Sequence, residues 1–323
     1  METTRQRIVV GIDGSAGARA ALTWALTEAA NRRSVVEVVV EVVTAFPVDF
    51  YWTDAYLLDN RRIAAIRSDT EARARAMVDE VRHDPAVAEL SGAAELDVQV
   101  LVVAGPPAPH LVQRSEGAAL LVVGSRGRGA LRSTVAGSVA LHCSAHARCP
   151  VVVVHPMTAP AKEPARVVVG LDDSRHGRAA LAAAVAHAAP TGARVDGVLA
   201  YEPLDYWSEL YIGMAPPPGE TLEVALARGK AIVGHVLDPG AVGSGSVRVL
   251  AVEGRPGQVL VHQAEGARLL VVGSRSHNPL QGVVLGSVAL HCVMHAPCPV
   301  LVARGHPVVD VEPAVRATAA AAG

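Results

Sequence analysis

Glycine, serine and arginine crowd one stretch of this chain, GSRGRGALRSTVAGS from Gly124 to Ser138, directly after the apolar run AALLVVG. A glycine has no Cβ, so at Gly124, Gly127 and Gly137 the backbone can take positive φ and come close to a ligand. Ser138 then opens the helical pattern SVALHCSAHA. The first amide hydrogens of such a helix have no partner inside it and carry partial positive charge. An anion belongs there, phosphate above all, and the Ser138 hydroxyl can add a hydrogen bond. Arg126, Arg128 and Arg132 share the loop; they are placed either to neutralise a polyphosphate or to be solvated. Asp13, in GIDGS, follows an earlier apolar run. It can accept hydrogen bonds from ribose hydroxyls, or act as a turn and cap residue before a helix. The chain has no G-x-x-x-x-G-K-[ST] and no G-x-G-x-x-G after its first apolar run, so neither common phosphate fingerprint accounts for these glycines.

The elements that must position these residues occur twice. RIVVGIDGSAGARAAL at Arg7 returns as RVVVGLDDSRHGRAAL at Arg166, AALLVVGSRGRG returns as ARLLVVGSRSHN, and GSVALHCSAHARCPVVVV returns as GSVALHCVMHAPCPVLVA. A repeat fixes the architecture before any motif is read. Within the first copy, strands are expected near Ile8 to Ile12, Val35 to Val43, Leu96 to Val103, Leu120 to Val123 and Val151 to Val154, each nearly continuous in Val, Leu and Ile. Helical patterns lie between them, in SAGARAALTWALTEAANRR, IRSDTEARARAMVDEVRH and PPAPHLVQRSEG. Alternating strand and helix predicts an α/β fold: two tandem doubly wound domains, each with a five-stranded, mainly parallel sheet in the order 3-2-1-4-5 and helices on both faces. The boundaries read 1–155 for the first domain, 156–165 for a Pro-rich linker, 166–305 for the second domain and 306–323 for a flexible tail. In this order the loops after strands one and four face one crevice beyond the strands' carboxyl ends. The last strands, PVVVVHP and PVLVARG, would be bare sheet edges, so they are expected to pair with each other or with a second chain as a homodimer.

With 323 residues, 50% of them hydrophobic, and a net charge of -2, the chain can bury full cores and shows no basic bias toward nucleic acid. Its longest apolar stretch, VVEVVVEVV, carries Glu37 and Glu41 and is too short to cross a bilayer. The start, METTRQRIVVGIDGS, has no apolar signal core. A cytoplasmic protein is expected, with Cys143, Cys149, Cys292 and Cys298 reduced. HCSAHARC and HCVMHAPC invite a zinc reading, but helical geometry turns Cys143 about 100° away from the face shared by His142 and His146. The aromatic loops FPVDFYW and EPLDYW suit either a base-stacking surface or loops packed by their own rings.

Taken together, the motifs resemble the universal stress protein family in its tandem form. The family's nucleotide pattern is Gly, two residues, Gly, nine residues, Gly, then Ser or Thr, and the first copy matches it at Gly124, Gly127, Gly137 and Ser138. The resemblance implies an ATP-binding domain, with Mg²⁺ accompanying the nucleotide, Asp13 at the ribose, and the main chain of Thr44 and Ala45, after the second strand, at adenine. In the second copy Gly273, Gly286 and Ser287 remain and Asp172 matches Asp13, but Ser276 replaces the second glycine and Pro279 stiffens the loop. The function implied is that of an ATP-binding stress-response regulator; the alternatives are an interaction scaffold without nucleotide and a slow ATP hydrolase. No carboxylate or glutamine is tied by spacing to the glycine loop, so efficient hydrolysis is not expected.

Overall fold

The computed structural model describes residues 5–33, 36–46, 60–127, 136–155, 164–201, 218–237, 247–275 and 285–305. Arg128, Arg132, Ser276, Pro279, most of the expected linker, nearly all of both aromatic loops and the 306–323 tail lie outside these residues.

The first half runs β1 (Gln6–Ile12), α1 (Ala16–Arg33), β2 (Val38–Phe46), α2 (Asn60–Arg82), α3 (Pro85–Ala88), β3 (Asp97–Ala104), α4 (Pro107–Arg114), β4 (Leu120–Gly124), α5 (Ser138–His146) and β5 (Val151–Val154). The second half repeats it with β6 (Arg166–Gly170), α6 (Arg175–Ala188), β7 (Arg194–Tyr201), α7 (Pro218–Val236), β8 (Val247–Glu253), α8 (Pro256–Gln263), β9 (Leu269–Gly273), α9 (Ser287–His295) and β10 (Val300–Ala303). The strands form one ten-stranded sheet in the order β3-β2-β1-β4-β5-β10-β9-β6-β7-β8, so each half keeps the order 3-2-1-4-5. All pairs within a half are parallel. The halves join where β5 and β10 pair antiparallel, Val152 opposite Leu301. The last strands therefore cover each other within one chain, and neither keeps an open edge for a second chain.

Alternation along the strands divides the core into two layers. Ile8 and Val10 of β1 pack with Leu22 and Leu26 of α1 on one face, while Val9 packs with Leu111 of α4 and Ala140 of α5 on the other. Both faces are covered, which is why the central strands read as unbroken apolar runs. One exception is repeated. Glu41 of β2 stands opposite Val9 and is buried, and Asp196 of β7 stands opposite Val168 and is fully buried. Arg114 from α4 donates two hydrogen bonds to Glu41, at 2.8 and 2.7 Å. Asp196 is held by Arg166, Arg194 and Arg248. A carboxylate inside a sheet is tolerable only with such pairing.

Strand β2 departs from the expected Val35 to Val43. It begins at Val38 and continues to Phe46, because β3 pairs with it as far as Phe46 opposite Ala104. Thr44 and Ala45 are thus strand residues, and their side chains must point to opposite faces.

Candidate functional site

The carboxyl ends of β1 and β4 diverge around a cleft of about 670 Å³. Asp13 forms one lip, Gly124, Arg126 and Gly127 the other, and Gly137 and Ser138 close it at the start of α5. The loop after β4 is tied down by backbone bonds: Ser125 N–H donates to Val154 O at 2.8 Å, and Gly137 N–H donates to Ser125 O at 2.7 Å. Gly137 is the N-cap of α5, with no side chain satisfying the helix's first amides. Those amides, with the positive end of the helix dipole, open onto the cleft.

The glycines do not use the positive φ open to them; at Gly124 and Gly127 crowding explains their presence. Among the described residues, left-handed backbone occurs only at other glycines, such as Gly105 and Gly254 in the turns before α4 and α8, whereas Gly137 has φ -77°. A Cβ at Gly124 would stand 2.7 Å from the carbonyl carbon of Gly17. One at Gly127 would stand 2.5 Å from Asp13 Oδ2, and one at Gly17 only 2.4 Å from Arg126 O. The β4 loop therefore lies directly against the start of α1 and the Asp13 carboxylate. At Gly137 the nearest atom would be 3.4 Å away, an ordinary contact. Of these glycines, Gly137 is the one at which a Cβ could be accommodated without displacing main chain.

Asp13 takes the turn role its position suggested, and it also lies at the cleft. Oδ1 accepts the Ser15 N–H at 2.9 Å, the turn bond of an N-terminal cap, while the carboxylate lines the cleft. Ala45 lines the cleft beside Val43; Thr44 faces away, into a smaller pocket beneath α2. Arg126 is exposed, and its carbonyl accepts from the hydroxyl of Ser15, the residue before α1, at 3.5 Å.

Sequence reasoning missed the floor. Pro107 and Leu111 of α4 close the cleft from below, and a Cβ at Gly11 would meet Leu111 Cδ1 at 2.9 Å. The second half repeats this contact between Gly170 and Leu260, with Pro256 in place of Pro107. The signal was available in the repeat itself, where both PPAPHLVQ and RPGQVLVHQ follow a glycine.

In the second half Asp172, Gly273, Gly286 and Ser287 line an equivalent cleft of about 470 Å³. Its frame is the same: Gly286 caps α9 without side-chain help and its N–H donates to Ser274 O at 2.8 Å. The approach to the helix differs, because His176 and Gly177 replace Gly17 and Ala18. Here Gly177 is the crowded position, 2.2 Å from Asp172 O if it carried a Cβ. Arg228 of α7 and Arg275 also reach this cleft.

The cysteine and histidine clusters fall on separate faces. Burial pushes the thiols of Cys143, Cys149, Cys292 and Cys298 up to about 12, whereas His142 and His146 are exposed and stack with ring centroids 4.3 Å apart. Among the described residues no helix is long and apolar enough to cross a membrane.

Comparison with known proteins agrees with this geometry. Two universal stress proteins of Mycobacterium tuberculosis are each 32% identical to the chain. One aligns over 311 residues, covering 92% of this chain and 96% of the relative, and the other over 331 residues, covering 98% and 99%. Among solved structures, a universal stress protein from Archaeoglobus fulgidus shares the fold with a TM-score of 0.56 at 19% identity, covering 92% of this chain and 96% of that one. A Pseudomonas aeruginosa protein of unknown function gives 0.58 at 15% identity, with 94% and 93% covered. The family model matches twice, over residues 4–155 and 164–304, and the chain belongs to the universal stress protein family.

Proposed function

We propose that the first half binds ATP, carried as its Mg²⁺ salt, and that occupancy of this site lets the protein act as a stress-response regulator in the cytoplasm. One observation carries the reading. The uncapped start of α5 opens onto a cleft at Gly137, where a Cβ would meet only ordinary contacts of 3.4 Å or more. Phosphates would lie on the amides from Gly137 onward and beside Gly124 and Gly127, with Arg126 at the rim. The ribose would meet Asp13, and adenine would rest against Val43 and Ala45 over the floor made by Leu111. Among the described lining residues Asp13 is the one carboxylate, so the metal ion would be held chiefly by the phosphates it neutralises. The second half keeps the frame, but its sequence has Ser276 where the first copy has Gly127, a position at which a Cβ would stand 2.5 Å from Asp13 Oδ2, and we propose weaker binding there.

Gly137→Asp tests the proposal. Aspartate is a favoured N-cap, so folding should be kept or improved, while its charge meets the phosphates. Calorimetric titration of the full chain with Mg-ATP should give saturable binding that falls at least about tenfold, roughly 1.4 kcal/mol, in the variant, with no loss of thermal stability. Equal affinity in wild type and variant, or no binding to wild type at millimolar Mg-ATP, refutes it.

A further inference from the structure

A second cavity, about 480 Å³, lies between the two halves. Helix α1 forms one wall, and the starts of β6 and β9 with the end of α6 form the other. Its volume falls within the range of small-molecule sites, which favour domain interfaces and set a few polar groups in apolar walls. Trp24, Val167 and Leu269 supply apolar wall here.

Most polar groups in the wall are already satisfied. Glu28 Oε1 accepts from Arg32 Nε at 2.6 Å and lies 3.1 Å from His187 Nδ1. Arg19 pairs with Glu80, and the hydroxyls of Thr23 and Thr191 donate to backbone carbonyls. Arg268 differs: it is half-buried, and its guanidinium has no hydrogen bond or ion pair among the described residues. An unpaired cation beside apolar walls is costly, and it complements an anion with an apolar body.

The repeat provides a second, independent observation. Across the β5–β10 junction each half has an equivalent of this place, so residues that serve packing alone can be alike in both. They are not alike. Thr23, Trp24 and Thr27 are matched in the second copy by Ala182, Ala183 and Ala186, and Arg268 is matched in the first by Ala119. The aromatic wall, the hydroxyls and the guanidinium are thus concentrated on one side of an otherwise symmetric arrangement. We propose that this groove between the halves binds a small aromatic carboxylate, its ring against Trp24 and its carboxylate on Arg268. The site is separate from the nucleotide cleft, and the proposal does not depend on nucleotide binding.

The probe is 1-naphthoate, titrated into the full chain by calorimetry and by ligand-observed NMR, with and without Mg-ATP; 1-naphthalenemethanol is its neutral counterpart. We expect saturable binding of one equivalent, unaffected by Mg-ATP, at least about tenfold weaker for the alcohol and at least about tenfold weaker in Arg268→Ala. Thr27→Trp, which fills the groove from α1, should abolish binding; Thr27→Leu replaces it if the larger side chain lowers thermal stability. The proposal is overturned by absence of binding at millimolar naphthoate, by equal affinity for the alcohol, or by undiminished affinity in Arg268→Ala. Competition by Mg-ATP would place the probe in the nucleotide cleft and overturn it equally.

Discussion

Gly124 and Gly137 belong to one motif and meet different constraints. Gly124 faces the Gly17 backbone so closely that any Cβ must displace main chain, whereas a Cβ at Gly137 finds ordinary van der Waals distance. Gly124→Ala should therefore lose about 1–3 kcal/mol of stability, the usual cost of overpacking. Gly137→Ala, at φ -77°, should lose almost none while weakening nucleotide binding. Urea unfolding of both variants beside an ATP titration separates the two roles, and equal destabilisation would contradict the assignment. The spacing of these glycines was legible in the sequence, as was their place after β4 and before α5. Their reason was not. Crowding at Gly124 and Gly127 comes from Gly17 and Asp13, more than a hundred positions earlier in the chain, and only the packing of α1 against the loop reveals it.

Two of the ten strands end in residues that reach across the junction to the other half. Arg304, after β10, donates to the carbonyls of Cys143, Ser144 and Ala145 at the end of α5, the shortest contact being 2.6 Å. His155, after β5, lies with Nε2 2.9 Å from Val293 O at the end of α9. Each helix thus has a carbonyl near its carboxyl end met by the other half, and at α5 the positive charge of Arg304 also meets the negative end of the dipole, whereas burial lowers the pKa of His155 and favours its neutral ring. Burial lowers the pKa of Arg304, and its Nε has no hydrogen-bond partner among the described residues, so the cap is gained at a desolvation cost. Arg304→Ala should speed amide exchange in the last turn of α5 and leave α9 unchanged, as read by hydrogen–deuterium exchange. Equal change in both helices would mean that the junction as a whole had loosened. The repeat made both elements legible, and the alternation of strand with helix gave their order. The end of β2 was not legible, because its last residues are held by pairing with β3 rather than by an apolar pattern. Nor was the partner of Glu41, since Arg114 arrives from a helix 73 positions away.

At the scale of the molecule, the halves are joined by the ten-stranded sheet, by the Arg304 and His155 contacts, and by the contact of α1 with the end of α6. There Glu28 and His187 occupy equivalent positions of the two copies and meet each other directly, 3.1 Å apart. Burial alone would push the Glu28 carboxyl up, but the hydrogen bond and charge of His187, together with Arg32, outweigh it and hold the group down at about 2. The unfolded chain returns Glu28 to about 4.5. A carboxylate whose pKa is depressed by folding binds fewer protons in the native state, so its stabilisation is complete above pH 4.5 and drains away as pH falls toward 2. A shift of that size corresponds to a contribution on the order of 3 kcal/mol. Glu28→Gln cannot titrate and should lose this contribution at neutral pH. Guanidinium unfolding measured from pH 6 down to pH 2 should therefore show the wild type losing its advantage through this window until the two proteins converge. The same experiment locates the link: with Glu28 acting between halves, the variant should also separate one unfolding transition into two, beginning at neutral pH. A constant gap between the proteins across the whole range would mean that the junction draws its stability from the β5–β10 pairing and not from this buried pair.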